Sequence, residues 1–361
     1  MGVSPVAGYR LTPAGRIFAP VSHQPIRLAA RAAGPGLRQP GVELRPIPEI
    51  NLMPHLKYLF NPKAYASFVR QRLEARRLRR QPNLRGTVAA APGHYHSPLL
   101  DIQSLQDGAE HLPFDGPEWW EYIDLRPAEQ LAYFEDLLDH FPFLPFPAEK
   151  TSAYRYFTGN EWFRLPDAFT LSGVIRKEKP RRIVEVGSGF SSAVMLDTLR
   201  HTRQSAELTF IEPFPERIES LLSPEDRSLA TILVKPVQEV PLEVFDRLEA
   251  NDVLFIDSSH VAKVGSDVTL ILLRVLPRLK PGVIVHFHDI FYPYSYPVNW
   301  IREGYAWNES LFLRAFLAGN AGFQIVAFNS FASYAFPEIF RARFPDFLNH
   351  NRGSLWLRKI A

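Results

Sequence analysis

The sequence predicts an α/β protein: a doubly wound, mostly parallel sheet of seven strands preceded by an N-terminal extension. From about residue 165 onward, short runs rich in Val, Ile, Leu and Phe alternate with segments that have the spacing of helices. The runs are apolar throughout rather than at every second residue. Such runs are typical of parallel strands covered by helices on both faces.

The predicted elements follow one another in regular order. A first helix, AFTLSGVIRKEKP at 168–180, is stopped by its proline. The five strands after it are RIVEV (182–186), LTFIE (208–212), TILVK (231–235), DVLFID (252–257) and GVIVHFHD (282–289). The helices between them are AVMLDTLR (193–200), PERIESLL (215–222), PLEVFDRL (241–248) and SDVTLILLRVLPRL (266–279). Two further strands close the chain, FQIVAFN (323–329) and SLWLRKI (354–360).

The composition restricts the class of protein. The chain has 361 residues, 46% of them hydrophobic, which is enough for a sizeable core. It contains no Cys, which excludes disulfides and thiolate chemistry and suits a cytoplasmic location. No apolar run reaches the ~18 residues of a membrane span. Residues 1–30 also lack the apolar core of a secretory signal.

Charge is distributed unevenly along the chain. Residues 1–85 hold 15 Lys and Arg against 3 Asp and Glu, whereas the whole chain has a net charge of only +3. Residues 1–50, rich in Pro, Gly, Ala and Arg, are expected to form a disordered arm. Within 51–85, the stretch 55–80 is predicted to be a basic amphipathic helix. This helix either packs on its own domain or attaches peripherally to an anionic membrane surface, and nucleic acid is the less favoured partner.

Residues 86–164 are dense in aromatic residues and Pro, and are predicted to form a cap or wrap of short helices and ordered loops. The clearest helix there is PAEQLAYFEDLLDH at 127–140, with Pro in its first turn. The regular α/β domain is then expected to span 165–361.

A glycine loop follows the first strand and indicates a ligand site. Gly187, Ser188 and Gly189 lead into a helix whose free N–H groups face the same place. A dinucleotide fingerprint would require a third Gly where Ser192 stands. Glu185, two residues before the loop, would repel a pyrophosphate but attract a sulfonium or an amino group. Glu212, at the end of the second strand, can accept hydrogen bonds from both hydroxyls of a ribose.

The stretches VEVGSGFSS, FIEP, DVLFIDSSH and LKPGVIVHFHDI, in this order and spacing, resemble a class I S-adenosylmethionine-dependent methyltransferase. The resemblance covers roughly residues 165–361 and implies a Rossmann-like fold. It implies that Glu185 and the glycine loop hold the methionine part of S-adenosylmethionine and that Glu212 holds the ribose. The loop after the third strand falls where the family contacts adenine, which makes Gln238 a candidate there.

Two neighbouring strand ends carry the candidate chemical groups. Asp257 ends the fourth strand, and His288 and Asp289 end the fifth, so these side chains should converge at the carboxyl edge of the sheet. The spacing resembles the catechol-type and sugar O-methyltransferases, in which these positions bind magnesium. His288 departs from that pattern, because one imidazole suits Mn, Fe or Zn better than Mg. The sequence leaves two versions open, a divalent metal such as Mg or Mn, or no metal with His288 as a base.

His260 stands three residues after Asp257, where the catechol-type enzymes carry the general base. A His has a pKa suited to removing a proton from an attacking hydroxyl. The predicted reaction is therefore O-methylation of a hydroxyl on a glycan, glycolipid or natural product, an acceptor class that comes from the resemblance alone. Two alternatives remain: metal-independent N-methylation, and a non-catalytic membrane- or nucleic-acid-binding protein with a degenerate domain.

Overall fold

The computed structural model describes residues 92–102, 105, 111–112, 115–223, 225–350 and 352–361. The predicted arm at 1–50 and the predicted basic helix within 51–85 lie outside these residues. So does the surface expected to attach to a membrane. Within the described part of the chain, no helix has the length and apolarity required to cross a membrane.

One sheet of seven strands organises the described residues, in the order β3-β2-β1-β4-β5-β7-β6. The strands are β1 Arg182–Val186, β2 Glu207–Ile211, β3 Ala230–Leu233, β4 Val253–Ile256, β5 Ile284–Phe287, β6 Phe323–Phe328 and β7 Leu355–Lys359. β1 to β5 pair in parallel, and β7 runs antiparallel to both β5 and β6. The predicted doubly wound, mostly parallel sheet is confirmed.

The α-helices alternate with the strands as predicted. They are α1 Pro127–His140, α2 Leu165–Glu178, α3 Phe190–Thr202, α4 Glu216–Leu221, α5 Glu243–Asp246, α6 Asp267–Leu270, α7 Val298–Arg302, α8 Glu309–Leu317, α9 Asn329–Ala335 and α10 Pro337–Arg343. α6 continues through a π turn at Ile271–Val275 and a 3-10 turn at Leu276–Arg278. Further 3-10 turns lie at Pro117–Trp120, Asp226–Ser228, Val237–Glu239 and Pro345–Leu348.

Two hydrophobic cores lie on the two faces of the sheet, because successive side chains of a strand point to opposite faces. In β4, Val253 and Phe255 belong to one core, and Leu254 and Ile256 belong to the other. All four are buried. This two-sided burial explains why the strands read as continuous apolar runs in the sequence.

The region predicted as a wrap packs onto the sheet domain through polar as well as aromatic contacts. Arg155 forms ion pairs with Asp197 of α3 and with Asp226, and both carboxylates are almost fully buried. Asn160 accepts hydrogen bonds from the backbone N–H groups of Trp162 (3.0 Å) and Phe163 (2.7 Å). This turn fixes the two aromatic residues immediately before α2. The predicted boundary at residue 164, between this region and the α/β domain, stays a prediction.

Candidate functional site

A cavity of about 280 Å³ lies at the carboxyl ends of β1, β2, β4 and β5. Its lining joins the glycine loop, the ends of three other parallel strands and two aromatic segments. The lining residues are Trp162, Phe163, Gly187, Ser188, Gly189, Phe190, Ser191, Glu212, Arg217, Asp257, Ser258, His260, His288, Asp289 and Trp307. This is the position at which open parallel sheets bind ligands.

Gly187 sets the shape of the loop that enters the cavity. Its φ of +84° lies in the left-handed region, which a side chain would strain. A Cβ at this position would lie only 1.7 Å from the carbonyl oxygen of Asp257. The loop after β1 therefore sits directly against the end of β4, and only glycine permits this approach.

Glu212 follows β2 and faces the same loop. One carboxylate oxygen accepts a hydrogen bond from the backbone N–H of Ser188 (2.9 Å), and the other accepts one from Phe214 (2.8 Å). The side chain is thereby fixed at the cavity wall while remaining partly accessible. Each carboxylate oxygen has a second lone pair with which it can accept a hydrogen bond from a ligand hydroxyl.

Two candidate cofactor residues do not reach the lining. Glu185 is fully buried and accepts hydrogen bonds from the hydroxyls of Ser191 (2.5 Å) and Ser192. Burial raises the pKa of Glu185 to about 8, although the two serine hydroxyls favour the ionised form. Gln238 is exposed, and its amide donates to the carbonyl of Gly265 (3.1 Å). Direct contact of either residue with a cofactor stays a prediction.

Asp257, His288 and Asp289 converge as expected for a metal site. Each offers a ligand atom, and these atoms lie within 4.8 Å of one another. Nδ1 of His288 is buried, and none of the described residues bonds to it. Burial opposes the charged form of His288, but the charges of Asp257, Asp289 and Asp167 outweigh it and raise the pKa of His288.

His260 lies between these acids and a carboxylate that the sequence did not single out. Its Nδ1 is 2.8 Å from Oε2 of Glu309, the first residue of α8, and both side chains are buried. Its Nε2 lies 3.4 Å from Oδ1 of Asp257 and 3.7 Å from Oδ2 of Asp289. The carbonyl of His260 also accepts the backbone N–H groups of Asn308 (3.0 Å) and Glu309 (3.1 Å). Glu309 therefore orients the imidazole so that Nε2 faces the two aspartates.

The acidic surroundings hold a proton on His260. Burial alone would lower the pKa of His260, but hydrogen bonds to Asp257 and Glu309 and the charges of Glu309 and Asp289 reverse this effect. The pKa of His260 is raised well above its usual value as a result. In this state the imidazole is a cation, and it can accept a proton only after the negative charge around it has been offset.

Two of the site residues have strained backbones. His260 has φ +59° and Asp289 has φ +54°, so both lie in the left-handed region although neither is glycine. His and Asp tolerate this region better than most residues, yet it still costs about 1–2 kcal/mol for an L-amino acid. Strain of this kind is concentrated at functional sites, which supports a functional reading of both positions.

Aromatic residues from outside the regular sheet close the cavity. Trp162 and Phe163 come from the turn before α2, and the Trp307 ring lies 4.4 Å from the His260 ring. The guanidinium of Arg217 stacks 3.8 Å from the centre of the Trp162 ring. Sequence reasoning missed Trp162, Arg217 and Glu309, because no local spacing connects them with the strand ends.

The comparisons with known proteins concern the part of the chain that holds this site. Residues 184–290, from β1 to just beyond β5, match a family model described as a methyltransferase domain. By this match, residues 184–290 carry a methyltransferase domain. The resemblance to methyltransferases that was inferred from the glycine loop and the strand ends is confirmed for these residues.

The matches with individual proteins cover part of this chain. An uncharacterized protein of Archaeoglobus fulgidus is 31% identical over 167 residues, which cover 44% of this chain and 74% of that protein. The O-methyltransferase TomG of Streptomyces achromogenes, solved with S-adenosylmethionine, is 17% identical with a TM-score of 0.37, and covers 54% and 80% of the two chains. The Podospora anserina methyltransferase PaMTH1 is 17% identical with a TM-score of 0.36, and the match covers 68% of this chain and 93% of PaMTH1.

Proposed function

We propose that this methyltransferase moves the methyl group of S-adenosylmethionine to a hydroxyl oxygen, with His260 as the proton acceptor. The observation that carries the proposal is the position of His260 Nε2, which faces Asp257 and Asp289 in the cavity that the glycine loop enters. A glycan, glycolipid or other natural product is the proposed acceptor class.

The cofactor is proposed to lie along the glycine loop, with its ribose on Glu212 and its sulfonium toward the acidic strand ends. Asp257 and Asp289 supply negative charge at this edge. Coulomb attraction favours a sulfonium cation beside these carboxylates, whereas the same carboxylates would repel a pyrophosphate. Holding donor and acceptor together at this edge of the sheet supplies most of the rate by proximity and by exclusion of water.

Glu212→Ala should weaken binding of S-adenosylmethionine by about 1.5–3 kcal/mol, the size of hydrogen bonds to a charged group. Calorimetric titration of wild type and variant measures this difference. Glu216→Ala, an exposed glutamate in the first turn of α4, is the matched control and should bind like the wild type. Equal affinity of Glu212→Ala and wild type would remove Glu212 from the cofactor site.

The proton of the acceptor hydroxyl is proposed to pass to Nε2 of His260 as the oxygen attacks the methyl group. For this transfer His260 must first be neutral, which the surrounding carboxylates oppose. The sulfonium charge of the bound cofactor reduces that opposition. Glu309 stabilises the imidazolium once it has formed, because its carboxylate lies 2.8 Å from Nδ1.

The residues present fit a divalent cation. Two carboxylates and one imidazole form the donor set of Asp257, His288 and Asp289, and Nε2 of His288 lies 3.7 Å from Oδ1 of Asp289. This mixed set suits Mn, Fe or Zn better than Mg. When bound, a divalent cation would supply positive charge beside the acceptor oxygen and would offset the carboxylates that hold the proton on His260.

If a cation binds, Asp289→Asn should weaken its uptake by at least ~10-fold, because one of three protein ligands loses its charge. Equilibrium dialysis with Mn²⁺ and elemental analysis measures this without any acceptor. Chelator should then abolish methyl transfer and Mn²⁺ should restore it. Full activity in chelator, together with no Mn²⁺ uptake by the wild type, would favour the version without a metal.

A further inference from the structure

A second cavity, of about 370 Å³, lies beside the chemical site at the same edge of the sheet. Its walls come from the segment after β5, from α9 and from the turn before β7. Its lining includes Phe291, Tyr292, Ser330, Tyr334 and Arg352. The candidate chemical residues Asp257, His260, His288 and Asp289 do not line it.

This cavity adjoins the chemical site through the backbone. Phe291 comes two residues after Asp289, and Arg352 directly precedes Gly353. Gly353 is packed against Asp289 so tightly that a Cβ would lie 2.9 Å from the Asp289 Cα. The backbone N–H of Ile290 also donates to the carbonyl of Gly353 (2.9 Å). The segments that line the second cavity are therefore packed and hydrogen bonded directly against the segment that carries Asp289.

The cavity combines ring faces with one cation. Phe291, Tyr292 and Tyr334 provide aromatic walls that suit a flat or apolar body. Arg352 is mostly buried, and its guanidinium donates to the carbonyl of Leu348 (2.6 Å). No carboxylate in the described parts of the chain forms a salt bridge with Arg352. Burial lowers the pKa of Arg352, and the charge of Asp167 offsets this effect only in part.

A partly buried cation without a paired anion is costly, and the cost is relieved when an anionic ligand arrives. A guanidinium presents its N–H groups as a planar fork that matches the two oxygens of a carboxylate or the oxygens of a phosphate. Ser330 lies on the same wall, where its hydroxyl oxygen accepts the backbone N–H of Tyr292 (2.9 Å). Its O–H remains available to donate to a ligand.

We propose that this second cavity binds the acceptor, and that the acceptor carries an anionic oxygen group, held by Arg352, on an aromatic or apolar body. The inference rests on the proposed function, in that it names the substrate class of the same site. It excludes neutral sugars as preferred acceptors, because they leave the Arg352 charge unpaired.

The test compares 4-hydroxybenzoate with its neutral analogue 4-hydroxybenzamide, titrated calorimetrically into the full-length protein saturated with S-adenosylhomocysteine. The wild type should bind the acid at least ~10-fold more tightly than the amide, the usual effect of a charge-assisted hydrogen bond. Arg352→Gln should abolish this preference, and Arg352→Lys should keep part of it. Arg341→Gln is the control, because it removes an exposed arginine that pairs with Glu338 on α10.

Equal binding of acid and amide by the wild type, no binding of the acid, or an unchanged preference in Arg352→Gln would each overturn the inference. Thermal unfolding of each variant shows whether it is folded. If Arg352→Gln does not fold, the preference for acid over amide is compared between Arg352→Lys and the wild type. The initial titration with S-adenosylhomocysteine separates the two proposals. If that titration succeeds, a failure with the acid concerns the acceptor class alone, whereas no binding of S-adenosylhomocysteine contradicts the proposed function.

Discussion

His260→Ala is expected to lower turnover by about 10²- to 10⁴-fold, the usual contribution of a general base. Affinity for S-adenosylmethionine should change little, because the glycine loop and Glu212 lie at other strand ends. Turnover is to be measured on the acceptor found by mass-spectrometric screening, and cofactor affinity by calorimetry. Because the substitution leaves Glu309 buried without its partner, His260→Asn provides a second variant that can still hydrogen bond to Glu309.

Glu309→Gln tests the same proton transfer through a residue that does not line the cavity. This variant keeps a hydrogen-bonding group beside Nδ1 but removes the charge that stabilises the imidazolium, so turnover should fall by at least ~10-fold. The pKa of His260 should also fall, because one of the charges that raise it is gone. A titration of the His260 ring by NMR detects that shift, which a merely structural role would not produce.

Wild-type turnover in His260→Ala would show that the proton leaves by another route.

Gly187→Ala is expected to lower the free energy of unfolding by more than ~3 kcal/mol. The substitution adds the cost of a left-handed alanine, about 1–2 kcal/mol, to a collision with the Asp257 carbonyl that only a backbone shift can relieve. The shift would also move the loop, so cofactor binding should be lost even in the folded fraction. Chemical denaturation and calorimetry measure the two effects.

Gly319→Ala is the matched control for this substitution. Gly319 has φ +69°, and a Cβ there would have no neighbour within 4 Å. It should therefore cost only the ~1 kcal/mol of backbone strain and leave cofactor binding unchanged. Similar losses of stability in the two variants would show that the contact between the loop and β4 is unimportant.

The sequence predicted the sheet well because its evidence is local. Apolar runs of strand length between helices require burial on both faces, and all seven strands lie within one or two residues of their predicted ranges. The helix predicted at 127–140 begins and ends at those residues, where Pro127 starts its first turn. The proximity of Asp257, His260, His288 and Asp289 was predictable as well, because parallel strands bring their carboxyl ends to one edge.

The rest of the site depends on contacts between distant segments. Glu309 reaches His260 across 49 residues of sequence, and the aromatic segment between them has no periodicity that fixes its path. Arg352 joins the second cavity through a turn whose position depends on β7 running antiparallel to β5. Glu185 is fully buried in β1, between β2 and β4, and its carboxylate is hydrogen bonded by Ser191 and Ser192, which the local sequence did not reveal.

The proposed methyl transfer is tested most directly by a mass-spectrometric assay with S-adenosylmethionine whose methyl group carries deuterium. Candidate acceptors with a hydroxyl and an anionic group are incubated with the wild type and with His260→Ala. We expect a labelled methyl group on the acceptor oxygen, S-adenosylhomocysteine in equal amount, and almost no product with His260→Ala. A methyl group on nitrogen, or equal product from the two proteins, would contradict this expectation.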